Sequence, residues 1–105
     1  MSNHQKMGKT EKEKMLAGEL YCHDDVQLNA EGMRARRIFR QFNDMPIERV
    51  EERRGLLRGI LGSMGSDLEI QPPFHCDYGY NIEIGNEVFM NYGCVILDVN
   101  PIKIG

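Results

Sequence analysis

The first part of the chain places its apolar side chains at helical spacing. Thr10 and Glu13 have the S/T-x-x-E pattern of a capping box, in which the hydroxyl and the carboxylate each accept a hydrogen bond from the other residue's backbone N–H. A short helix is predicted to follow and to run to Ala17. Gly18 suits the position after it, because glycine adopts a positive φ at little cost.

Two further amphipathic helices are predicted. Asn29 is a suitable N-cap for a helix to about Phe42, and Pro46 suits the first turn of a third helix that ends at Gly62 and Gly65. The apolar stripes of these helices are Ala35, Ile38, Phe39 and Phe42, and then Ile47, Val50, Leu57, Ile60, Leu61 and Met64. Such narrow stripes make a poor core alone, so we expect the helices to lie on another element.

From Leu68 onwards the helical spacing is lost. Leu68 and Ile70 alternate with polar residues as in a strand, and Pro72-Pro73 ends that strand. A period of six then begins. The apolar residues six apart are Ile84, Met90, Ile96 and Ile102 in one series, and Ile82, Val88 and Cys94 in another. This period is typical of a parallel β-helix of triangular section, in which each hexad supplies one short strand and one corner.

The fit to a six-residue period has one irregularity. Ile84 and Ile104, each followed by glycine, are 20 residues apart, whereas three hexads span 18. Two residues must therefore loop out, most simply at Asn100-Pro101. The periodicity leaves a pair of β-hairpins open as an alternative, and it predicts that the side chains of the Ile84 series point into one apolar interior.

Charge and composition restrict the classes of function that this chain can have. The net charge of −3 divides into +2 for residues 1–58 and −5 for residues 59–105, which favours two parts of different architecture and disfavours nucleic-acid binding by the second. No apolar run reaches the roughly 20 residues of a membrane span, and residues 1–9 lack a signal-peptide core. A cytoplasmic protein is therefore expected. The three cysteines have no metal-ligand spacing, so neither zinc nor a disulfide is expected.

The second predicted helix is strongly basic on its remaining faces, which carry Arg34, Arg36, Arg37 and Arg40. A solvated face with ion-pair partners is the expected interpretation. A small helical nucleic-acid binder is the alternative, although no RNA-binding motif accompanies the arginines.

Four segments resemble the maltose and galactoside O-acetyltransferases, a family of hexapeptide-repeat acyltransferases. They are residues 11–21 (EKEKMLAGELY), 76–82 (CDYGYNI), 91–98 (NYGCVILD) and 102–105 (IKIG). The resemblance implies an α+β fold, with a helical cap followed by the start of a left-handed parallel β-helix that is truncated here. The corresponding parts are a disordered tail at 1–9, the cap at 10–65 and the first coils at 66–105.

The resemblance also implies a function, namely transfer of an acetyl group from acetyl-CoA to a sugar hydroxyl by a homotrimer whose active sites lie between neighbouring β-helices. Asp77, Asn91 and Asp98 match positions that contact the acceptor sugar in the family. Each has a structural alternative: Asp77 bracing the turn at Tyr78-Gly79, Asn91 filling a corner, and Asp98 capping a loop. Carboxylate and amide groups suit the recognition of vicinal hydroxyls.

The family's catalytic histidine and most of its coenzyme contacts lie beyond the position of Gly105. His4, His23 and His75 do not match that histidine, so no catalytic residue is assigned to this chain. We expect the 105 residues alone to be inactive. A non-catalytic remnant, or a module that docks on complete subunits, is the alternative to an enzyme.

Overall fold

The computed structural model describes residues 8–105, so the predicted tail lies outside the described residues except for Gly8 and Lys9. Within these residues, three helices precede seven short strands. The helices are α1 (Glu11–Leu16), α2 (Val26–Asp44) and α3 (Val50–Ile60). The strands are β1 (Ser63–Met64), β2 (Glu69–Ile70), β3 (Phe74–Cys76), β4 (Ile82–Ile84), β5 (Phe89–Met90), β6 (Cys94–Ile96) and β7 (Ile102–Ile104).

The strands form three small parallel sheets, ordered β1-β4-β7, β2-β5 and β3-β6. Each residue pairs with the one 20 positions later, as Glu69 does with Phe89 and Phe74 with Cys94. The chain therefore winds once around three faces every 20 residues. This all-parallel pairing excludes the β-hairpin alternative, because hairpin strands pair antiparallel. The strands already begin at Ser63, inside the range predicted for the cap.

The irregularity in the six-residue period lies in one corner of the coil. Successive strands end at Met64, Ile70, Cys76 and Ile84, which are six, six and eight residues apart. The two additional residues thus fall in the corner 77–81, and again in the corner 97–101 one coil later. Asn100-Pro101, predicted to hold them, lies in that second corner.

Three of the four side chains predicted to share an apolar interior do so. Ile84 is buried, and Met90 and Ile96 are half-buried against the same core. Ile102 is half-exposed on β7, beside the buried Ile82 in the register of β4 and β7. Ile102 is not among the side chains packed against that core.

The first helix has the predicted form. The Thr10 hydroxyl accepts from the Glu13 N–H at 3.0 Å, and the Glu13 carboxylate accepts from the Thr10 N–H at 2.7 Å. Gly18 follows with a φ of 77°.

The predicted starts of the other two helices are wrong. α2 begins at Val26, since the Asp25 carboxylate accepts from the Leu28 N–H at 3.1 Å and so takes the capping role assigned to Asn29. α3 begins at Val50 rather than Pro46, because the Arg49 N–H donates to the Pro46 carbonyl at 3.1 Å in a separate turn. An earlier cap thus lengthens α2, whereas a local turn delays the start of α3.

The helices pack on the coil through aromatic side chains. The Phe39 ring of α2 lies 4.9 Å, between centroids, from the fully buried Phe74 ring of β3. The side chain of Asn43 accepts from the Phe74 N–H at 2.9 Å and donates to the Phe74 carbonyl at 3.1 Å. The helices therefore pack against the coil, as expected, and these hydrogen bonds fix the position of α2 relative to β3.

Replacing either of two glycines in the helical region by alanine should have opposite effects on stability. A Cβ at Gly62 would lie 2.3 Å from the Tyr80 carbonyl oxygen, whereas a Cβ at Gly55 in α3 meets nothing within 4 Å. We expect Gly62→Ala to lower the free energy of unfolding by about 1–3 kcal/mol and Gly55→Ala to raise it by about 0.5–1 kcal/mol. Urea denaturation of both variants tests this. Equal urea midpoints for the two variants would contradict this expectation.

Candidate functional site

A cleft of about 750 Å³ separates α2 from the face formed by β3 and β6. The helix supplies one wall and the corner after β3 the other, and both walls carry polar groups. We call it the acceptor cleft, after the ligand proposed for it below. The residues that line it are His23, Leu28, Asn29, Gly32, Met33, Arg36, His75, Cys76, Asp77, Tyr78, Val95 and Leu97.

The acceptor cleft stays open where α2 lacks a side chain. A Cβ at Gly32 would lie 3.9 Å from both the Asp77 carbonyl oxygen and a ring carbon of Tyr78. These are ordinary van der Waals distances, so a larger side chain at position 32 would fill the cleft rather than pack elsewhere. Gly32 therefore contributes to the depth of the site.

The corner 77–81 is organised by one buried carboxylate, that of Asp98. One of its oxygens accepts from the N–H groups of Asp77 and Tyr78 at 3.1 and 2.9 Å. The other accepts from Gly79 and Asn81 at 2.8 and 3.2 Å. Asp98 is 0% exposed, so four backbone donors surround a side chain that has no contact with solvent.

This geometry changes the interpretation of Asp98. The resemblance implied a sugar contact, with loop capping as the alternative. A fully buried carboxylate whose two oxygens each accept two hydrogen bonds cannot reach a hydroxyl group in the cleft unless the corner opens. The geometry favours the capping alternative, because Asp98 fixes the corner that presents Asp77.

Asp77 itself lines the acceptor cleft. Its carboxyl group is half-buried, and burial, followed by the nearby charge of Asp98, raises its pKa above the ordinary value. A carboxylate with little solvation and a fixed backbone is suited to accept hydrogen bonds from a bound hydroxyl. Its role as a sugar contact stays a prediction.

The structure does not bring Asn91 into the acceptor cleft. Its side-chain oxygen accepts from the Tyr92 N–H at 2.8 Å, and two residues later the Gly93 N–H donates to the Pro73 carbonyl. Asn91 is therefore exposed at the start of the β3–β6 face, whereas Asp77 lies at its end. This position agrees with the corner-filling alternative, and a sugar contact by Asn91 stays a prediction.

Sequence reasoning missed the cationic and imidazole groups of the cleft. His23, His75 and Arg36 all line it, although neither histidine was assigned a role. The signal for His75 was present in the strand alternation. Phe74 and Cys76 point inward on either side of it, so position 75 must point outward, towards α2.

Arg36, Arg37 and Arg40 of α2 are exposed, as predicted for a solvated face. The expected ion-pair partners were not found among residues 8–105, since none of the salt bridges there includes these three side chains. Of the three, Arg36 lines the acceptor cleft.

Cys76 is unsuited to act as a nucleophile. Burial, together with the charges of Asp98 and Asp77, raises the pKa of its thiol to about 12. The thiol is therefore protonated at neutral pH, and the thiolate is the reactive form.

Within residues 8–105 all three cysteines are free, no group of side chains could hold a metal ion, and no helix is long and apolar enough to cross a membrane.

Comparison with known proteins supplies the context for this cleft. Residues 14–65 match the family model described as "Maltose acetyltransferase hexapeptide capping motif". Nodulation protein L of Rhizobium leguminosarum bv. viciae is 46% identical over 99 residues, which are 94% of this chain and 52% of that protein.

Two solved structures share the fold. A maltose O-acetyltransferase from Clostridium difficile 630 superposes with a TM-score of 0.90 at 41% identity, covering 92% of this chain and 52% of that one. A hexapeptide-repeat acetyltransferase from Vibrio cholerae in complex with acetyl coenzyme A superposes with a TM-score of 0.80 at 38% identity, with the same coverage. The chain thus spans about half the length of the relatives it matches, and its predicted resemblance to this group is confirmed.

Proposed function

We infer that this chain, a relative of the hexapeptide-repeat acetyltransferases, forms the acceptor side of an acetyl-CoA-dependent sugar O-acetyltransferase. The observation that carries this inference is the superposition at 38% identity on an acetyltransferase that binds acetyl coenzyme A. The acceptor cleft adds support, since it combines a half-buried carboxylate with donors from Arg36, His23 and His75. Such a mixture of acceptors and donors suits a polyhydroxylated ligand.

In this proposal the chain's own residues bind and orient the acceptor. Asp77 accepts a hydrogen bond from a sugar hydroxyl, while Tyr78, whose ring stacks on Tyr80 with centroids 5.3 Å apart, offers an aromatic surface at the cleft wall. Asp98 holds the corner that carries both. In this proposal the general base and most of the acetyl-CoA site lie outside residues 1–105, as the family resemblance implies.

The assembly and the hand of the coil are parts of the same proposal. The family resemblance implies a left-handed β-helix, a homotrimer and a cytoplasmic location. Support for assembly comes from the outward side chains of the β3–β6 face, because Val95 and Leu97 are 60% and 66% exposed. Apolar side chains grouped beside a cleft are typical of a surface that another subunit covers.

The test is a chimera that joins residues 1–105 to the remaining coils of the Clostridium difficile relative. We expect acceptor-dependent release of CoA from acetyl-CoA with maltose, glucose or a galactoside. Asp77→Asn in the chimera should raise the KM for the acceptor about 10- to 100-fold, since a hydrogen bond to a charged group contributes about 1.5–3 kcal/mol, and should leave the KM for acetyl-CoA unchanged.

The matched control is Asp67→Asn, which makes the same change at an exposed corner far along the chain from the cleft. It should alter neither constant. A chimera that binds acetyl-CoA but releases CoA at the same rate with and without acceptor would overturn the proposed reaction. An unchanged acceptor KM in Asp77→Asn would remove Asp77 from the binding site.

A further inference from the structure

Arg36 of α2 is a cation of the acceptor cleft that lacks an acidic partner. None of the ion pairs among residues 8–105 includes it, and the sequence of residues 1–7 contains no aspartate or glutamate that could supply one. Its side chain is exposed and lines the cleft, so a bound molecule can reach the guanidinium. Arg36 therefore offers the cleft several N–H donors in a fixed planar arrangement.

A second cleft adjoins the acceptor cleft at Arg36. Arg36 and His75 line both the acceptor cleft and this neighbouring cleft of about 580 Å³, and we call these two residues the border. Arg40, four residues after Arg36, lies on the same face of the helix and about 6 Å further along its axis. The other residues of the neighbouring cleft are Arg40, Asn43, Asp44 and Pro73.

The neighbouring cleft has an excess of positive charge. Its charged residues are two arginines and Asp44, which leaves a net charge of +1 with histidine neutral. Asp44 is exposed at the end of α2, and none of the ion pairs among the described residues joins it to either arginine. The positive charge of the border is therefore not neutralised from this side.

The charges of the acceptor cleft itself are separated. Asp77 is the one carboxylate and Arg36 the one guanidinium among its lining residues. The pKa of Asp77 is raised by burial and then by the charge of Asp98, whereas a guanidinium beside it would lower that pKa. Gly32, which faces the Asp77 carbonyl oxygen, precedes Arg36 by about one helical turn, or about 6 Å. The cleft is thus negative at Asp77 and positive at the border.

We propose that the acceptor of the acetyl transfer is an acidic sugar, whose carboxylate or phosphate group binds at the border. This proposal rests on the function proposed above and specifies its substrate class. The anionic group accepts hydrogen bonds from the Arg36 guanidinium and from a ring N–H of His75, while a hydroxyl group of the same sugar donates to Asp77. The paired donors of arginine match the oxygens of either anion. Repulsion by Asp77 disfavours the reverse orientation, so the separated charges orient the sugar.

The test compares three probes that share one ring, namely glucose, glucuronate and glucose 6-phosphate. Binding to the 105-residue chain is measured by calorimetry and by the amide shifts of Arg36 and His75. At least one acidic sugar should bind about tenfold more tightly than glucose, the lower end of the effect of a charge-assisted hydrogen bond, because Arg36 is exposed. Added salt should weaken its binding and leave that of glucose unchanged. The tighter of the two acids identifies the anionic group.

Equal affinities for the three probes would overturn the proposal, as would no detectable binding of either acidic sugar. Inorganic phosphate serves as a fourth probe, because it carries the charge without the ring. It should bind about tenfold more weakly than the preferred acidic sugar. Inorganic phosphate bound as tightly as that sugar would show an anion site that does not recognise the sugar, and the proposal would be wrong.

Two variants provide the protein-side test. Arg36→Gln removes the charge from the border and should weaken the binding of the acidic sugars about tenfold, to the level of glucose. Arg37→Gln makes the same change at the next residue, which is exposed and lines neither cleft, and should leave every affinity unchanged. Equal losses in the two variants would reveal a general effect of net charge and would overturn the proposal.

The chimera separates this proposal from the proposed reaction. Its KM for the preferred acidic sugar should be about tenfold below its KM for glucose, and Arg36→Gln should remove that difference. A chimera that acetylates glucose and both acids with equal KM values would retain the reaction and overturn the acidic acceptor. One that binds an acidic sugar as expected but releases no CoA with any acceptor would retain the anion site and overturn the reaction.

Discussion

Asp98→Ala should lower the free energy of unfolding by about 3–5 kcal/mol, since it leaves four backbone N–H groups without their acceptor. The donors of Gly79 and Asn81 are buried and cannot turn to water, and an unsatisfied buried donor costs about 1–3 kcal/mol. A domain of this size has a total stability of roughly 5–15 kcal/mol. The variant should therefore be partly unfolded at room temperature or melt far below the parent chain.

Asp98→Asn separates the loss of the acceptor from the loss of volume. The amide keeps the shape, but its NH₂ group must face two of the four backbone donors, so we expect about half of the effect of alanine. Urea denaturation followed by circular dichroism measures both, and amide hydrogen exchange should show lost protection at Gly79 and Asn81 first.

The control for this series is Asp67→Asn, which removes the same charge from an exposed corner with a φ of 56°, a conformation that asparagine tolerates. Its effect should stay within about 0.5 kcal/mol. An Asp98→Ala chain with a stability within 1 kcal/mol of the parent would show that the corner 77–81 does not depend on the carboxylate.

The six-residue period of the second half could be predicted from the sequence, but it left a pair of β-hairpins open, and the family resemblance was needed to favour a β-helix. Ile84, Met90 and Ile96 had to point to one side once strands and corners alternated every six residues. The presence of two additional residues followed from the mismatch of 20 against 18, and Asn100-Pro101 lies in one of the two corners that hold them. The pairing of β1 with β4 could not be predicted, since Met64 continues the apolar stripe of the preceding helix.

Helix boundaries were less predictable because several residues compete for each cap. Asp25 and Asn29 are both good N-caps, and in the structure Asp25 caps the helix while Asn29 lies in its first turn, where its side chain donates to the Asp24 carboxylate at 2.9 Å. For the third helix the sequence offers Pro46, whereas the structure begins the helix after Arg49, whose side chain makes no capping hydrogen bond. Such choices are decided by tertiary contacts, which a single sequence does not contain.

The candidate site was predictable only in its position along the chain. Asp77 was correctly expected beside a tight turn, but the brace for that turn comes from Asp98, one coil later. A contact between residues 21 positions apart becomes visible only when the 20-residue register is known. The same register brings His75 beside Val95 and so into the cleft.

The 105-residue chain alone should show no acceptor-dependent acetyl transfer at an enzyme-like rate. A sugar hydroxyl is a weak nucleophile at neutral pH, and a positioned general base contributes about 10²–10⁴-fold. Positioning of the donor contributes roughly 7–11 kcal/mol more. In our proposal both belong to coils that the chain does not span, whereas Asp77 and the cleft can at most hold an acceptor.

The assay follows the release of CoA from acetyl-CoA with maltose, glucose or a galactoside, for the 105-residue chain and for the chimera at equal concentration. Because His23 and His75 both line the acceptor cleft, each is also replaced by alanine in the 105-residue chain. We expect the three short proteins to release CoA at the same acceptor-independent rate, and the chimera to exceed them by at least the 10²-fold expected of the base alone. Acceptor-dependent turnover by the short chain that is lost in His75→Ala would place the catalytic base on β3, and the acceptor cleft would then be a complete active site.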